Sequence, residues 1–148
     1  MLTLGALYYF SNAIAYFNWF FLIAMPDSKM NKFLDRTKII VIILGLIHGI
    51  LFFYGLYTYA EFTDFLSLEG LHSLYDRPLA TIISWEHMLA YDLVAGMWMA
   101  KDAKRRGLTR KIMVPVLFFV SYMGPIAFVP YMVIRWMKGQ KIENEDEW

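Results

Sequence analysis

Acidic and imidazole side chains occur together within otherwise apolar sequence. The segment 84–92 contains Glu86, His87 and Asp92, and His48 lies at the middle of another apolar stretch. In a helix, His87 and Asp92 are separated by about 7.5 Å along the axis and lie on different faces. A carboxylate and an imidazole in a dry site can share a proton. We therefore predict a catalytic group in which Asp92 and His87 act as base and acid and Glu86 and His48 tune them, with an interhelical hydrogen bond as the structural alternative.

Aromatic and amide side chains near these groups have the right chemistry to hold a ligand. Aromatic faces that border the acidic and imidazole groups would sandwich a flat, apolar molecule. The residues predicted to bind substrate are Trp85, Tyr91, Trp98, Asn12 and Tyr122. The alternative for the aromatic residues is a membrane-interface belt, and the alternative for the asparagine is a helix-to-helix hydrogen bond.

The sequence predicts no cofactor, no metal site and no nucleic-acid partner. It has no phosphate loop, no dinucleotide glycine motif, no G-x-S-x-G elbow and no H-E-x-x-H pair. The chain contains no cysteine and three histidines, and a site that joined them to Glu86 or Asp92 has no recognised ligand spacing. The net charge is +1, and no basic domain is left outside the apolar stretches to bind nucleic acid.

Four long apolar stretches must position the predicted site. The apolar fraction is 59% and the charged fraction 18%, against roughly 45–50% and 25% in soluble domains. At about 1.5 Å per residue, each stretch can cover a hydrocarbon core of about 30 Å. The predicted helices cover about 4–25, 39–59, 79–100 and 112–136. We therefore predict an all-α polytopic membrane protein, a single domain over 1–148, with four transmembrane helices in a bundle.

The segments around these helices carry further predictions. Leu68, Leu71 and Tyr75 recur at helical spacing, which predicts a short interfacial helix between the second and third spans. Gly124 and the prolines of the last stretch predict a bend in the fourth helix. The acidic tail, 140–148, is predicted to be disordered.

Basic residues predict the orientation in the membrane. Ten of the fourteen Lys and Arg residues lie in segments 26–38 and 101–111. By the positive-inside rule these two loops are cytoplasmic, or stromal in a plastid, and both termini lie on the opposite side. The same rule explains the cluster at Arg105 and Arg106 as a topology determinant, with lipid binding as the alternative.

One block of sequence resembles a known family. Within 69–106, a tryptophan, a spaced histidine, an aromatic-Asp-Leu step, a glycine and tryptophan, and an Asp-Ala pair precede a basic loop. These residues are Trp85, His87, Tyr91, Asp92, Leu93, Gly96, Trp98, Asp102 and Ala103. The pattern continues through Pro115, Leu117, Phe118, Gly124, Pro125, Tyr131 and Arg135, and in the first helix through Asn12, Trp19 and Pro26. It resembles the abscisic-acid-deficient-four-like family across almost the whole chain.

The resemblance implies an integral membrane protein of plastids or bacteria, linked in plants to the conversion of violaxanthin into neoxanthin. We therefore predict a protein of carotenoid or isoprenoid metabolism. It would act as an isomerase that opens an epoxycarotenoid by intramembrane acid and base chemistry. One alternative is a non-catalytic pigment-binding, lipid-binding or assembly subunit, and another is a proton or ion carrier. Since no transit peptide precedes the first helix, we expect a bacterial member in the inner membrane, or a plastid membrane if the source is eukaryotic.

The expected partners follow from this setting. They are a carotenoid or other isoprenoid lipid, the membrane lipids, and further copies of the chain or a larger membrane complex. Gly45 with Gly49, and Ala95 with Ala100, are small residues that would permit close contact between helices.

Overall fold

The computed structural model describes residues 3–59, 64 and 66–138, and within these residues the chain is helical, without a β-strand. The all-α prediction is therefore confirmed. The helices are α1 (Leu4–Ala24), α2 (Lys29–Thr37), α3 (Ile39–Tyr59), α4 (Leu68–Tyr75), α5 (Pro78–Arg105), α6 (Arg110–Met123) and α7 (Pro125–Lys138). The tail predicted to be disordered, 140–148, lies outside the described residues.

One helix of the described chain, α3, is long and apolar enough to cross a membrane by itself. The qualifying stretch is Ile39–Thr58, and 11% of its apolar window is buried within the protein. The other long helices carry Asn and Tyr side chains in α1, and Glu86, Asp92 and a charged last turn in α5. The predicted bundle of four spans is therefore not confirmed.

The predicted fourth helix is two helices in the structure. It ends at Met123 and begins again at Pro125, and Gly124 between them has a φ of 42° and a ψ of −107°. A positive φ is accessible to glycine because it has no Cβ. Proline at the next position suits the first residue of a helix, since its missing N–H would have no helical acceptor there. The expected bend is therefore a break at a single residue.

Two short helices flank α3 in the chain. The helix predicted around Leu68, Leu71 and Tyr75 is present as α4, and the Ser67 hydroxyl caps it by accepting a 3.0 Å hydrogen bond from the Gly70 N–H. The sequence pattern does not predict α2, because its basic residues are equally typical of a cytoplasmic loop. The Ser28 hydroxyl accepts the Asn31 N–H at 3.1 Å and so satisfies a free donor at the start of α2.

The chain divides into two compact units, residues 1–16 with 38–90 and residues 17–37 with 91–148. The first unit buries apolar side chains such as Ala15 and Leu44, and also three polar residues, Ser11, Asn12 and Glu86. The core of the second unit is larger. It contains Trp19, Leu22, Leu34, Leu93, Met97, Met99, Ala103, Met113, Val116, Leu117, Val120, Ala127 and Tyr131.

Candidate proton-transfer site

Two imidazoles from different helices approach each other in the first unit. The ring centroids of His48 on α3 and His87 on α5 are 5.3 Å apart, with their planes tilted by 55°. His48 Nδ1 lies 3.0 Å from the carbonyl oxygen of Ile83, which can only accept, so Nδ1 carries the proton. In the neutral ring Nε2 then has the basic lone pair. Phe52 stacks on the His48 ring at 5.9 Å. The arrangement orients His48 as a proton acceptor beside a second imidazole.

A fully buried carboxylate accompanies this pair. Glu86 has no exposed surface, and neither of its carboxylate oxygens has a hydrogen-bond partner among the described residues. It interacts electrostatically with His48 and lies beside the Ser11 hydroxyl, which is also buried and without hydrogen-bond geometry to a partner. A buried carboxylate without hydrogen bonds costs several kcal/mol, so an ionised Glu86 needs a compensating positive charge close by.

His48 and His87 line a cavity of about 540 Å³ formed by α3, α4, α5 and the residues next to them. Most of the lining is apolar. The lining residues are His48, Phe52, Gly55, Leu56, Leu71, Leu74, Tyr75, Arg77, Leu79, Ala80, Ile83, Ser84, His87 and Met88. A concave apolar site with a few convergent polar groups is the usual form of a small-molecule site.

Glycine and hydroxyl groups shape the cavity wall. A Cβ on Gly55 would lie 3.1 Å from Ile83 Cδ1, so the glycine allows α3 and α5 to approach closely at this level. The Ser84 hydroxyl donates a 2.9 Å hydrogen bond to the Tyr75 hydroxyl and joins α4 to α5.

The predicted ligand-binding pair Asn12 and Trp85 also lies in the first unit. The Asn12 amide donates to the Tyr8 carbonyl at 2.7 Å, and its oxygen accepts the Trp85 indole N–H at 3.4 Å. The Tyr8 and Trp85 rings are 5.7 Å apart. These contacts hold α1 against α5 within the unit. They agree with the alternative given above for Asn12, a hydrogen bond between helices. Neither residue lines the cavity described above.

The remaining predicted site residues belong to the second unit. A Cβ on Gly124 would lie 2.5 Å from Asp92 Oδ1, so the carboxylate sits against the break between α6 and α7. Trp98 packs against Phe128 and Tyr131, at 5.8 and 5.9 Å. The side chains of Tyr91 and Tyr122 are largely exposed. The structure thus brings Glu86, His48 and His87 together in one unit and places Asp92 in the other.

A second cluster of charged residues surrounds Asp102. Its Oδ2 accepts hydrogen bonds from the Tyr131 hydroxyl at 2.6 Å and from Nε of Arg106 and Arg135, both at 2.9 Å. The Arg135 guanidinium lies 5.7 Å from the centre of the Trp98 ring. Burial alone would raise the pKa of Asp102, but the hydrogen bonds from Tyr131, Arg106 and Arg135 lower it below its usual value. One carboxylate thus serves two guanidinium groups and a hydroxyl, an arrangement typical of a structural network.

Sequence reasoning did not single out Ser11, Arg77 or the α4 residues as parts of a site. Ser11 is next to the predicted Asn12. A polar side chain in an otherwise uncharged helix was the feature that could have indicated its place in the site. The helical spacing of Leu71 and Tyr75 predicted α4 but gave no indication that these side chains line a cavity with two histidines. Asp102, Tyr131 and Arg135 were noted only as carriers of the family resemblance.

The fold and the site define an all-α protein with an apolar helix that can cross a membrane and a histidine-lined apolar cavity in one unit. The model of one family, described as ABA DEFICIENT 4-like, matches residues 6–131, and the chain belongs to this family. The family predicted from the sequence is therefore confirmed, while the bacterial source stays a prediction. No curated protein and no solved structure matches the chain.

Proposed function

We propose that this chain is a four-span membrane protein of carotenoid or isoprenoid metabolism, and that it isomerises a lipid held in the cavity of the first unit. Membership of the family supports the metabolic setting. The helices α1, α3 and α5 have 21, 21 and 28 residues, enough to span a core of about 30 Å. In this proposal α6 and α7 together form the fourth span.

The exposed surface of α3 supports insertion into lipid. Its large outward side chains follow one another at intervals of three or four residues, and their exposed fractions run from 49% to 93%. They are Ile42, Leu46, Ile50, Phe53 and Tyr57. Such a continuous apolar stripe is costly in water and favourable against acyl chains.

The observation that carries the catalytic proposal is the meeting of His48 and His87 on the cavity wall, with the buried Glu86 beside His48. In the reaction that the resemblance implies, a carbon–hydrogen bond gives up its proton, an epoxide carbon–oxygen bond breaks, and the oxygen gains a proton. The products of these steps are an allene and a hydroxyl group, with no net change in composition.

The two imidazoles are suited to the two proton transfers. Nε2 of His48 would accept the proton from carbon, and a protonated His87 would donate one to the epoxide oxygen. The Glu86 carboxylate would stabilise the imidazolium that forms on His48. Proton exchange between the two rings, 5.3 Å apart by their centroids, restores the starting state. Asp92 has no assigned step in this scheme, and its predicted catalytic role is a separate hypothesis.

The experiment is incubation of the purified protein in lipid nanodiscs with epoxycarotenoids, with products separated by chromatography. His48→Ala and His87→Ala should each lower kcat by about 100-fold or more. Glu86→Gln should lower it by roughly tenfold, or about 1.4 kcal/mol in the barrier, because the imidazolium that forms on His48 loses the nearby carboxylate. Asp92→Asn tests the separate hypothesis.

Matched controls come from α4. His72 is an exposed histidine that does not line the cavity, and Glu69 is an exposed carboxylate. His72→Ala and Glu69→Gln should keep wild-type turnover. Wild-type turnover by His48→Ala or His87→Ala would refute the assignment of these residues.

A second candidate, a non-catalytic carrier of pigment or lipid, is supported by the largely apolar lining of the cavity. In that case a carotenoid would bind with its visible spectrum shifted and would be recovered unchanged. Ala80→Phe, which fills the cavity, should then abolish binding, while His48→Ala should leave it nearly intact.

A further inference from the structure

The helix α2 presents three different faces within the second unit. Asn31 and Leu34 are buried, and they anchor the helix to the unit. The Asn31 amide also donates a 2.8 Å hydrogen bond to the Pro26 carbonyl. Asp35 pairs with Lys101 of α5 at 3.0 Å. The helix is therefore held in a defined orientation, and its other faces point outward.

The outward faces combine apolar and basic side chains. Met30 and Phe33 are 42% and 54% exposed and lie one helical turn apart. Beside them, a basic strip is formed by Lys29, Lys32 and Arg36, which share a face at spacings of three and four residues and are all exposed. A helix with an apolar edge next to a basic strip is typical of segments that lie in a membrane interface.

The position of α2 in the chain agrees with this location. It begins five residues after Ala24, the last residue of α1, and the exposed Met25 lies between the two helices. The Arg110 side chain donates hydrogen bonds to the carbonyls of Ile23 and Ala24 and so satisfies the end of α1. Since α1 is one of the proposed spans, α2 would start at the level of the lipid headgroups.

The charge around α2 indicates which kind of molecule would bind there. Within the described part of the second unit, Lys and Arg residues are concentrated at one end, on α2, on the end of α5 and on the start of α6. Its carboxylates are Asp27, Asp35 and Asp102, and each is paired with a cation. The basic strip of α2 thus meets solvent with an excess of positive charge. A nine-residue helix, about 13.5 Å long, is too small to supply the roughly 800 Å² that each partner contributes to a standard protein interface.

We infer that α2 lies in the headgroup layer and binds anionic phospholipids, with Met30 and Phe33 at the acyl boundary and Lys29, Lys32 and Arg36 at the phosphates. Cationic side chains near an anionic leaflet are attracted to it, and exposed apolar side chains gain by entering the acyl boundary. This inference rests on the proposed membrane insertion and is independent of the proposed catalysis.

The chain has no cysteine, so single cysteines can be spin-labelled in the full-length protein. The protein is reconstituted in vesicles of phosphatidylcholine with phosphatidylglycerol, carrying a label at Met30→Cys, Phe33→Cys, Lys32→Cys or Leu46→Cys. The labels at positions 30 and 33 should be more accessible to oxygen than to a water-soluble nickel chelate, and the label at 32 should show the reverse. The label at 46, on the apolar stripe of α3, should be the deepest.

The lipid preference is measured by mass spectrometry of lipids retained when the protein is released from nanodiscs of the same mixture. Lys29→Gln with Lys32→Gln should lose the enrichment of phosphatidylglycerol. Lys104→Gln with Lys111→Gln removes the same amount of charge from sites outside α2. This double variant should keep most of the phosphatidylglycerol enrichment.

The possible failures are distinguishable. Labels at positions 30 and 33 in water, with the label at 46 in the acyl region, would overturn the inference about α2 and leave the membrane proposal standing. A label at 46 in water would overturn both. Equal loss of phosphatidylglycerol in the two double variants would overturn the assignment of lipid binding to α2.

Discussion

The hydroxyl of Tyr131 donates a 2.6 Å hydrogen bond to Asp102 Oδ2, the same oxygen that receives Nε of Arg106 and Arg135. Two of the three donors, Tyr131 and Arg135, lie on α7, so this carboxylate of α5 joins the two helices. Trp98, Asp102, Tyr131 and Arg135 all belong to the pattern that carries the family resemblance, and in the structure they are in contact. This part of the pattern therefore describes a structural network within the second unit.

Asp102→Asn should destabilise the protein by about 3 kcal/mol, because it leaves two arginines without their shared counter-charge. The side chains of Asp102 and Arg106 are only 13% and 11% exposed, so water cannot replace the lost partner easily. The measurement is equilibrium unfolding in detergent, followed by tryptophan fluorescence.

Asp27→Asn is the control for this prediction. Asp27 and Lys104 form an ion pair at 3.7 Å with both side chains more than 80% exposed. Such pairs contribute less than about 1 kcal/mol. Equal losses in the two variants would show that the Asp102 cluster does not stabilise the fold.

The same carboxylate predicts how stability depends on pH. The pKa of Asp102 is lower in the folded protein than its usual value, so the folded state holds the ionised form more strongly than the unfolded chain does. Its contribution is complete above the unfolded pKa of about 3.9 and is lost as the pH falls towards the folded pKa. Acid unfolding of Asp102→Asn should lack this component. An unchanged acid transition in the variant would contradict the prediction.

Gly96→Ala should destabilise the second unit. A Cβ at this position would overlap Cη2 of Trp19, whose side chain is buried. Displacing the indole should cost about 1–3 kcal/mol of unfolding free energy. Gly45→Ala is the matched control, because nothing lies within 4 Å of its added Cβ, and the change should be neutral or slightly stabilising. Equal stability of the two variants would contradict the predicted contact.

Gly124→Ala should be destabilising for two separable reasons. The φ of 42° is unfavourable for a residue with a Cβ, and the new atom would collide with Asp92 Oδ1. Adding Asp92→Ala should restore the part of the stability that the collision removes, but not the part due to backbone strain. Thermal unfolding of the two single variants and the double variant measures this coupling. Strict additivity of the two losses would show that Asp92 and Gly124 do not interact.

Some features could be predicted because they depend on neighbouring residues. Leu68, Leu71 and Tyr75 predicted α4 from their spacing alone, and the uncharged run from Ile39 predicted α3. α2 was missed because its exposed lysines resemble a loop, although the Ser28 cap before Asn31 was visible in the sequence. The break at Gly124 was expected as a bend, since composition does not specify the sign of φ.

The sequence by itself determined the helical class, the family and the presence of ionisable groups inside apolar segments, since each follows from residue type and short-range periodicity. Only the tertiary structure decided which of those groups meet. Glu86 and His48 are near each other, with His87 beside them on the cavity wall, whereas Asp92 lies against Gly124 in the other unit. The physical reason is that partners on different helices are selected by rotation and packing of whole helices, which local spacing does not encode.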